Sequence, residues 1–229
     1  MLSITDLAFG WDPAHPLLRI DTLQLAAGER LFLRGPSGSG KSTLLSLIAG
    51  VLQPQRGSIR LNDTALEALR PAARDRLRAD HIGLVFQQFN LLPYLDAVDN
   101  VLLPLGFSPR RAARVGGDAA AHARTLLQRL DLDPLALAGR PAAELSVGQQ
   151  QRVAAARALI GAPELVIADE PTSALDSDTR DAFLGLLFDE CRRAEAALLF
   201  VSHDRSLQER FDRVLDLPAI NRAGAAGCC

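Results

Sequence analysis

The chain has 229 residues, 48% of them hydrophobic, and its 25 basic and 27 acidic side chains leave a formal net charge of −2. That is enough for a sizeable core, as one large domain or a domain with a lobe, and the charge balance gives no general electrostatic footprint for nucleic acid or an anionic membrane. No apolar run reaches the ~18–20 residues of a membrane span, no basic flank precedes an apolar run at the N-terminus, and Cys191, Cys228 and Cys229 fit neither a zinc spacing nor a disulfide framework, so they are read as free thiols.

In chain order, short alternating runs at Leu2–Phe9 and Leu23–Ala26 predict a small antiparallel sheet. Leu31–Arg34 reads as a strand entering a glycine-rich turn, and Thr43–Ala49 as a helix that stops at Gly50. Ser58–Leu61 and Ile82–Phe86 read as further strands, the second ending in Gln87 and Gln88. From 88 to 160 strand signals vanish, and Leu, Ala and Arg recur at helical spacing in Asp118–Leu130 and Gln149–Ile160. Leu165–Ala168 and Ala197–Val201 are continuous apolar runs of the kind a buried parallel strand requires; the first is broken at Pro171 and the second ends in Ser202-His203-Asp204. Strands alternating with helices predict an α/β fold with a largely parallel sheet, built from 1–87 and 161–229, with 88–160 as an inserted helical lobe. Ligands are expected at the carboxyl ends of such strands.

Gly35-Pro36-Ser37-Gly38-Ser39-Gly40-Lys41-Ser42, followed by Thr43, matches G-x-x-x-x-G-K-[ST] between a predicted strand and a predicted helix. Glycines let successive backbone N–H groups turn inward on a polyphosphate, and the next helix adds its positive end. Lys41 would reach the β- and γ-phosphates and Ser42 would ligate Mg²⁺. Of the 25 basic residues 24 are arginine and Lys41 is the exception, so arginine fills the generic positive positions, including the stretches 70–78 and 110–114, expected to be exposed. A compact ammonium on a flexible stem fits between phosphates where a planar fork would not.

Asp169-Glu170 closes the strand Leu165–Ala168. Asp169 there can hold Mg²⁺ through water, and Glu170 can polarise an attacking water as general base; taken alone, the pair reads more readily as a polar strand end, and its place after a buried-type strand well beyond Lys41 favours the functional reading. His203, just past a strand, is placed to hydrogen-bond the γ-phosphate or the water, although a lone histidine is more often structural. Gln87 is similarly placed to reach Mg²⁺ or water. Ser146 and Gln149 have the spacing of a capping box at the start of a helix.

Leu145-Ser146-Val147-Gly148-Gln149 resembles the signature, usually written LSGGQ, of the ATP-binding-cassette ATPases. The resemblance covers essentially the whole chain, with the phosphate loop, Gln87, the signature, Asp169, Glu170, Ser173-Ala174-Leu175-Asp176 and His203 in the family's order. It implies a P-loop NTPase (RecA-like) core with a small N-terminal antiparallel β region and an inserted α-helical lobe. It also implies that Trp11, with Phe9 as runner-up, stacks on adenine, that Ser146, Gly148 and Gln149 meet nucleotide held by a second copy of the chain, and that the segment ending at Asp176 contacts that copy. Val147 stands where the family has its first signature glycine; at a first helical position a β-branched residue would cost little.

Gly83–Pro93 and Asp99–Leu105 are similar to the subfamily of lipoprotein-release ATPases, the macrolide-exporter ATPase domain and the cell-division ATPase that pairs with an FtsX-like permease. The implied protein is a cytoplasmic ATPase peripheral on the inner face of a bacterial cell membrane, homodimerising around two MgATP and driving a separate permease, with no nucleic-acid partner. Phe89, Leu91, Leu92, Pro93 and Tyr94 would suit a groove for a short permease helix, or fill the lobe's own core. The alternative is a soluble cassette ATPase of the iron–sulfur assembly type. Lys41→Arg is expected to abolish most ATP hydrolysis; near-normal turnover in a steady-state phosphate-release assay would refute the reading of the loop.

Overall fold

The computed structural model describes residues 1–12, 15–173 and 175–223; Ala174, Cys228 and Cys229 lie outside them. The strands are β1 (Leu2–Phe9), β2 (Leu18–Leu25), β3 (Arg30–Arg34), β4 (Arg56–Leu61), β5 (Thr64–Ala65), β6 (Ile82–Val85), β7 (Leu165–Asp169), β8 (Ala197–Val201) and β9 (Arg213–Asp216). The helices are α1 (Lys41–Ile48), α2 (Pro71–His81), α3 (Ala97–Phe107), α4 (Pro109–Val115), α5 (Ala119–Arg129), α6 (Val147–Leu159), α7 (Ser177–Arg193) and α8 (Leu217–Ile220). Among the described residues no helix is long and apolar enough to cross a membrane. By internal packing the chain divides into two units, Met1–Arg78 with Leu199–Cys229, and Ala79–Leu198.

The first unit contains a four-stranded antiparallel sheet in the order β2-β1-β4-β5. Leu2, Ile4, Leu7 and Phe9 pair with Leu25, Leu23, Ile20 and Leu18, and all eight are buried. The alternation slips between Ile4 and Leu7, because the pairing of β1 with β4 shifts register between Thr5 and Ala8 and Asp6 takes φ 50°. Across that bulge sits Gly57, where a Cβ would lie 2.3 Å from the Asp6 carbonyl oxygen, so only glycine lets the strands close there. Strand β2 keeps one unbroken register with β1 and shows its own break in alternation between Ile20 and Leu23, and it begins at Leu18, well before the expected start at Leu23. Strand β9 runs parallel to β3, and the last residues of β8 lie on its other side. The scarce aromatics concentrate here: Phe32, Phe200 and Phe211 have ring centroids 5.1 to 6.1 Å apart.

In the second unit β6 and β7 pair in parallel from Ile82↔Leu165 to Val85↔Ala168, with the start of β8 next to β7. Residues 88–160 carry α3 to α6 and, among the described residues, no strand. Helix α6 packs on β6 because Gly83 leaves room; a Cβ there would stand 2.2 Å from the carbonyl oxygen of Ala158. Asn100 is fully buried and serves α3 by bridging to the Leu92, Leu95 and Asp96 carbonyls while accepting from the Leu92 amide.

The 110–114 stretch differs from its expected exposure. Arg111 is only 2% exposed and donates to the carbonyls of Ile160 and Ala158, closing the C-terminal end of α6. Desolvation pushes its pKa down to about 10, opposed by the Glu164 carboxylate, so it keeps its charge at neutral pH. Periodicity places an arginine on a helix surface; here the orphan carbonyls of a neighbouring helix end pulled one inside. Glu164 gathers three partners: His81 Nδ1 at 2.9 Å, Arg110 Nη2 at 2.8 Å and Arg114 Nη2 at 2.7 Å. Burial works to raise the pKa of Glu164, but hydrogen bonds from His81, Arg114 and Arg110 outweigh it and hold the carboxyl far below the usual carboxylate range. A depressed folded-state pKa gives stability that is present above the unfolded value of 4.5 and is lost as pH falls below it. Glu164→Gln should therefore lower the urea midpoint at neutral pH and flatten its fall below about pH 5.

Candidate functional site

The phosphate loop leaves β3 at Arg34 and enters α1 at Lys41. Gly38 and Gly40 take φ 77° and 96°, which a side chain would disfavour, and a Cβ on Gly40 would also stand 2.8 Å from Leu18 Cδ2. Gly35 is pinched in turn, since a Cβ there would meet Ser39 Oγ at 2.8 Å. Lys41 folds back over the loop, its Nζ donating to the carbonyl oxygens of Gly35 at 2.7 Å and Pro36 at 3.0 Å. Helix α1 has Gly40 at its N-cap, no side-chain cap and no acidic residue in its first turn. Its leading N–H groups and positive end, with one ammonium beside them, suit a polyanion. Beginning the helix at Lys41 rather than Thr43 places the Ser42 and Thr43 amides in that first turn.

The first unit also carries Trp11 and His203. Trp11 is 72% exposed, with the buried Phe9 edge-on to it at 5.3 Å, so a broad apolar face stands available for stacking. His203 is exposed directly after β8, where the Ser202 amide donates to the Leu33 carbonyl of the strand that feeds the phosphate loop.

The second unit carries Gln87, the signature segment, Asp169, Glu170 and Asp176. Asp169 ends β7 and is half-buried. Glu170 follows with φ 48°, a left-handed conformation that costs an L-residue of order 1 kcal/mol and needs support from its surroundings. Gln87 is exposed just past β6, and the next turn is strained as well, with Phe89 at φ 58° and Asn90 at φ 50°. Arg157 of α6 donates to both of their carbonyls, at 2.5 and 2.6 Å. Phe89 is buried and Tyr94 is 72% exposed, so the apolar segment after Gln87 divides between core and surface.

Ser146 is the N-cap of α6 in a complete capping box: its Oγ accepts from the Gln149 amide at 3.3 Å, and its own amide donates to Gln149 Oε1 at 2.9 Å. Val147 is the first helical residue, so the departure from glycine falls where the backbone tolerates it. The helix starts two residues before Gln149, because the cap at 146 fixes the first turn. Gly148 faces open space apart from Thr179 Cγ2, 3.9 Å from where a Cβ would be. Asp176 caps α7 through the Asp178 and Thr179 amides, and the Thr179 hydrogen bond leads in holding its pKa below the usual carboxylate value.

Sequence reasoning passed over Gln151 and Arg157. Gln151 is fully buried and donates from Nε2 to the Pro171 carbonyl at 2.7 Å. It lies four and eight residues before Ala155 and Leu159 on the buried stripe of α6, and that periodicity marks it out as an inward-facing glutamine. Among the described residues no three His, Cys, Asp or Glu side chains gather to hold a metal. Mg²⁺ carried largely by phosphates needs only one or two protein oxygens; the first unit has the Ser42 hydroxyl, and the second has the Asp169 carboxylate and the Gln87 amide, all oxygens of that hard type.

The family model for ABC transporter proteins matches residues 18–173. The chain is 44% identical over 202 residues to the lipoprotein-releasing system ATP-binding protein LolD of Anaeromyxobacter dehalogenans, covering 88% of this chain and 82% of that protein. It is 42% identical over 213 residues to an uncharacterized ABC transporter ATP-binding protein of Mycobacterium tuberculosis, with 88% and 81% covered. Among solved structures, the dimeric post-hydrolysis state of the ATP-binding cassette MJ0796 bound to ADP and Pi superposes with a TM-score of 0.82 at 34% identity over 94% of both chains. From the cap geometry, Ser146→Ala should cost about 1 kcal/mol of stability in a urea titration, and Ser146→Gly only a few tenths.

Proposed function

The chain belongs to the ABC transporter family and is an ATPase subunit of that kind, and from that premise we propose that two copies close around two MgATP and drive a separate membrane permease of the lipoprotein-release or FtsX-like type. The observation that carries this reading is the match, over 94% of both chains, to a cassette described as a dimer bound to ADP and Pi. Relatives described as transporter ATP-binding proteins favour it over an iron–sulfur assembly ATPase.

In this proposal Gly35 to Thr43 wrap the phosphates with backbone N–H groups, Lys41 neutralises charge on the β- and γ-phosphates, and Trp11 stacks on adenine. Ser42, Asp169 and Gln87 would hold Mg²⁺, which when bound would supply positive charge to the phosphate oxygens, and Gln87 would otherwise reach the attacking water. Glu170 accepts the proton of that water as it attacks the γ-phosphorus, and ADP leaves with the bond electrons. His203 donates a hydrogen bond to the γ-phosphate. Ser146, Gly148 and Gln149 of one copy cap the γ-phosphate held by the other, supported by the open approach to Gly148 and the acid-free first turn of α6. Asp176, beyond its capping role, stands at the contact with the second copy. The subunit would sit on the cytoplasmic face of the membrane through its permease.

Removing the base while keeping the shape of the side chain separates binding from chemistry. Glu170→Gln should bind ATP normally, lose turnover about 100-fold or more, and run as a dimer on size-exclusion chromatography with MgATP. A variant that stays monomeric under saturating MgATP would sink the two-copy mechanism for the isolated subunit.

A further inference from the structure

Gln151 sits five residues beyond the signature cap, fully buried, with its Nε2 on the Pro171 carbonyl and its Oε1 without a partner among the described residues. Burying an amide with one end unmatched is costly, and a leucine or methionine would fill the same space without that cost. What the glutamine adds is the donor.

The acceptor it serves belongs to a turn that the backbone alone disfavours. Glu170 adopts φ 48°, and the residue before a proline is pushed toward extended conformations by the ring. Within the turn, Glu170 offers its carbonyl to the Ser173 amide at 3.3 Å, a long bond. The carbonyl of buried Pro171 is held by Gln151 from outside the turn. Were that bond lost, Glu170 could relax toward its preferred extended state, and its carboxylate would swing with the peptide plane.

We propose that Gln151 is a positioning residue for hydrolysis: by holding the Pro171 carbonyl it fixes the strained Glu170–Pro171 turn, and so the carboxylate that activates water. It also fastens that turn to the helix whose capped end carries the signature, so the base and the signature of one chain move as one body. The inference rests on the reading of Glu170 as the base.

The test is a double-mutant cycle in single-turnover hydrolysis on the purified subunit, using wild type, Gln151→Leu, Glu170→Gln and the double variant. Gln151→Leu should lower kcat about tenfold or more while KM for ATP stays within about twofold. Added to Glu170→Gln, it should change the residual rate less than about twofold, because a positioning residue has nothing left to position. Losses that multiply, or a raised KM with kcat intact, would overturn the proposal. Normal turnover in Glu170→Gln alone would overturn the base reading and this inference with it, an outcome visible without any Gln151 variant. Should Gln151→Leu fail to fold, the near-isosteric Gln151→Glu carries the decision. Its carboxyl donates to the Pro171 carbonyl only when protonated, so its rate relative to wild type should climb from about pH 8 to about pH 6; a flat ratio would overturn the proposal.

Discussion

The first N–H groups of a helix have no partner within the helix, and how each helix finds one organises this chain. Asp96, Ser108, Asp118, Ser146 and Asp176 each turn a side-chain oxygen onto the opening turn of α3, α4, α5, α6 and α7. Helix α1 instead has a glycine at its cap and no side-chain acceptor. The opening amides that a side chain caps in those five helices are left in α1 for an acceptor from outside, and the glycine conformations and Lys41 suit a backbone that presents them.

Polar side chains do comparable work along α6. Ser146 closes its start, Arg111 closes its end, and Gln151 and Arg157 reach from its flank to two turns in left-handed conformation. Those turns follow β7 and β6, the strands that deliver Glu170 and Gln87. A strained turn holds a functional group in one orientation only when its surroundings outweigh its preference to relax. One helix supplies that restraint to both.

The parts legible in the sequence are those whose physics is local. The phosphate loop is a run of glycines with a lysine, the capping box is a spacing of three, and β7 and β8 are unbroken apolar runs; each needs only its own neighbours to be read. Arg157 and Arg111 were not legible because residue type argues for exposure and their partners are carbonyls 47 to 68 positions away in sequence, while for Gln151 the periodicity gives an inward face but not its partner, the Pro171 carbonyl. The left-handed turns at Phe89, Asn90 and Glu170 stayed hidden for a related reason, since none of these residues signals a positive φ as glycine does. The first half of β2 is hidden in the sequence because its buried alternation breaks between Ile20 and Leu23.

The position of Lys41 has a chemical corollary. It is the sole lysine among 229 residues, and its ammonium rests against the carbonyls of Gly35 and Pro36 inside the loop. Every other cationic side chain that stays charged near neutrality is a guanidinium, which does not react with acylating agents under mild conditions. The protein therefore offers such reagents a single side-chain amine, placed in the glycine-rich loop ahead of α1. Acylation at Nζ, told apart by peptide mapping from the Met1 α-amine and the cysteine thiols, becomes a stoichiometric reporter of whether the loop is filled.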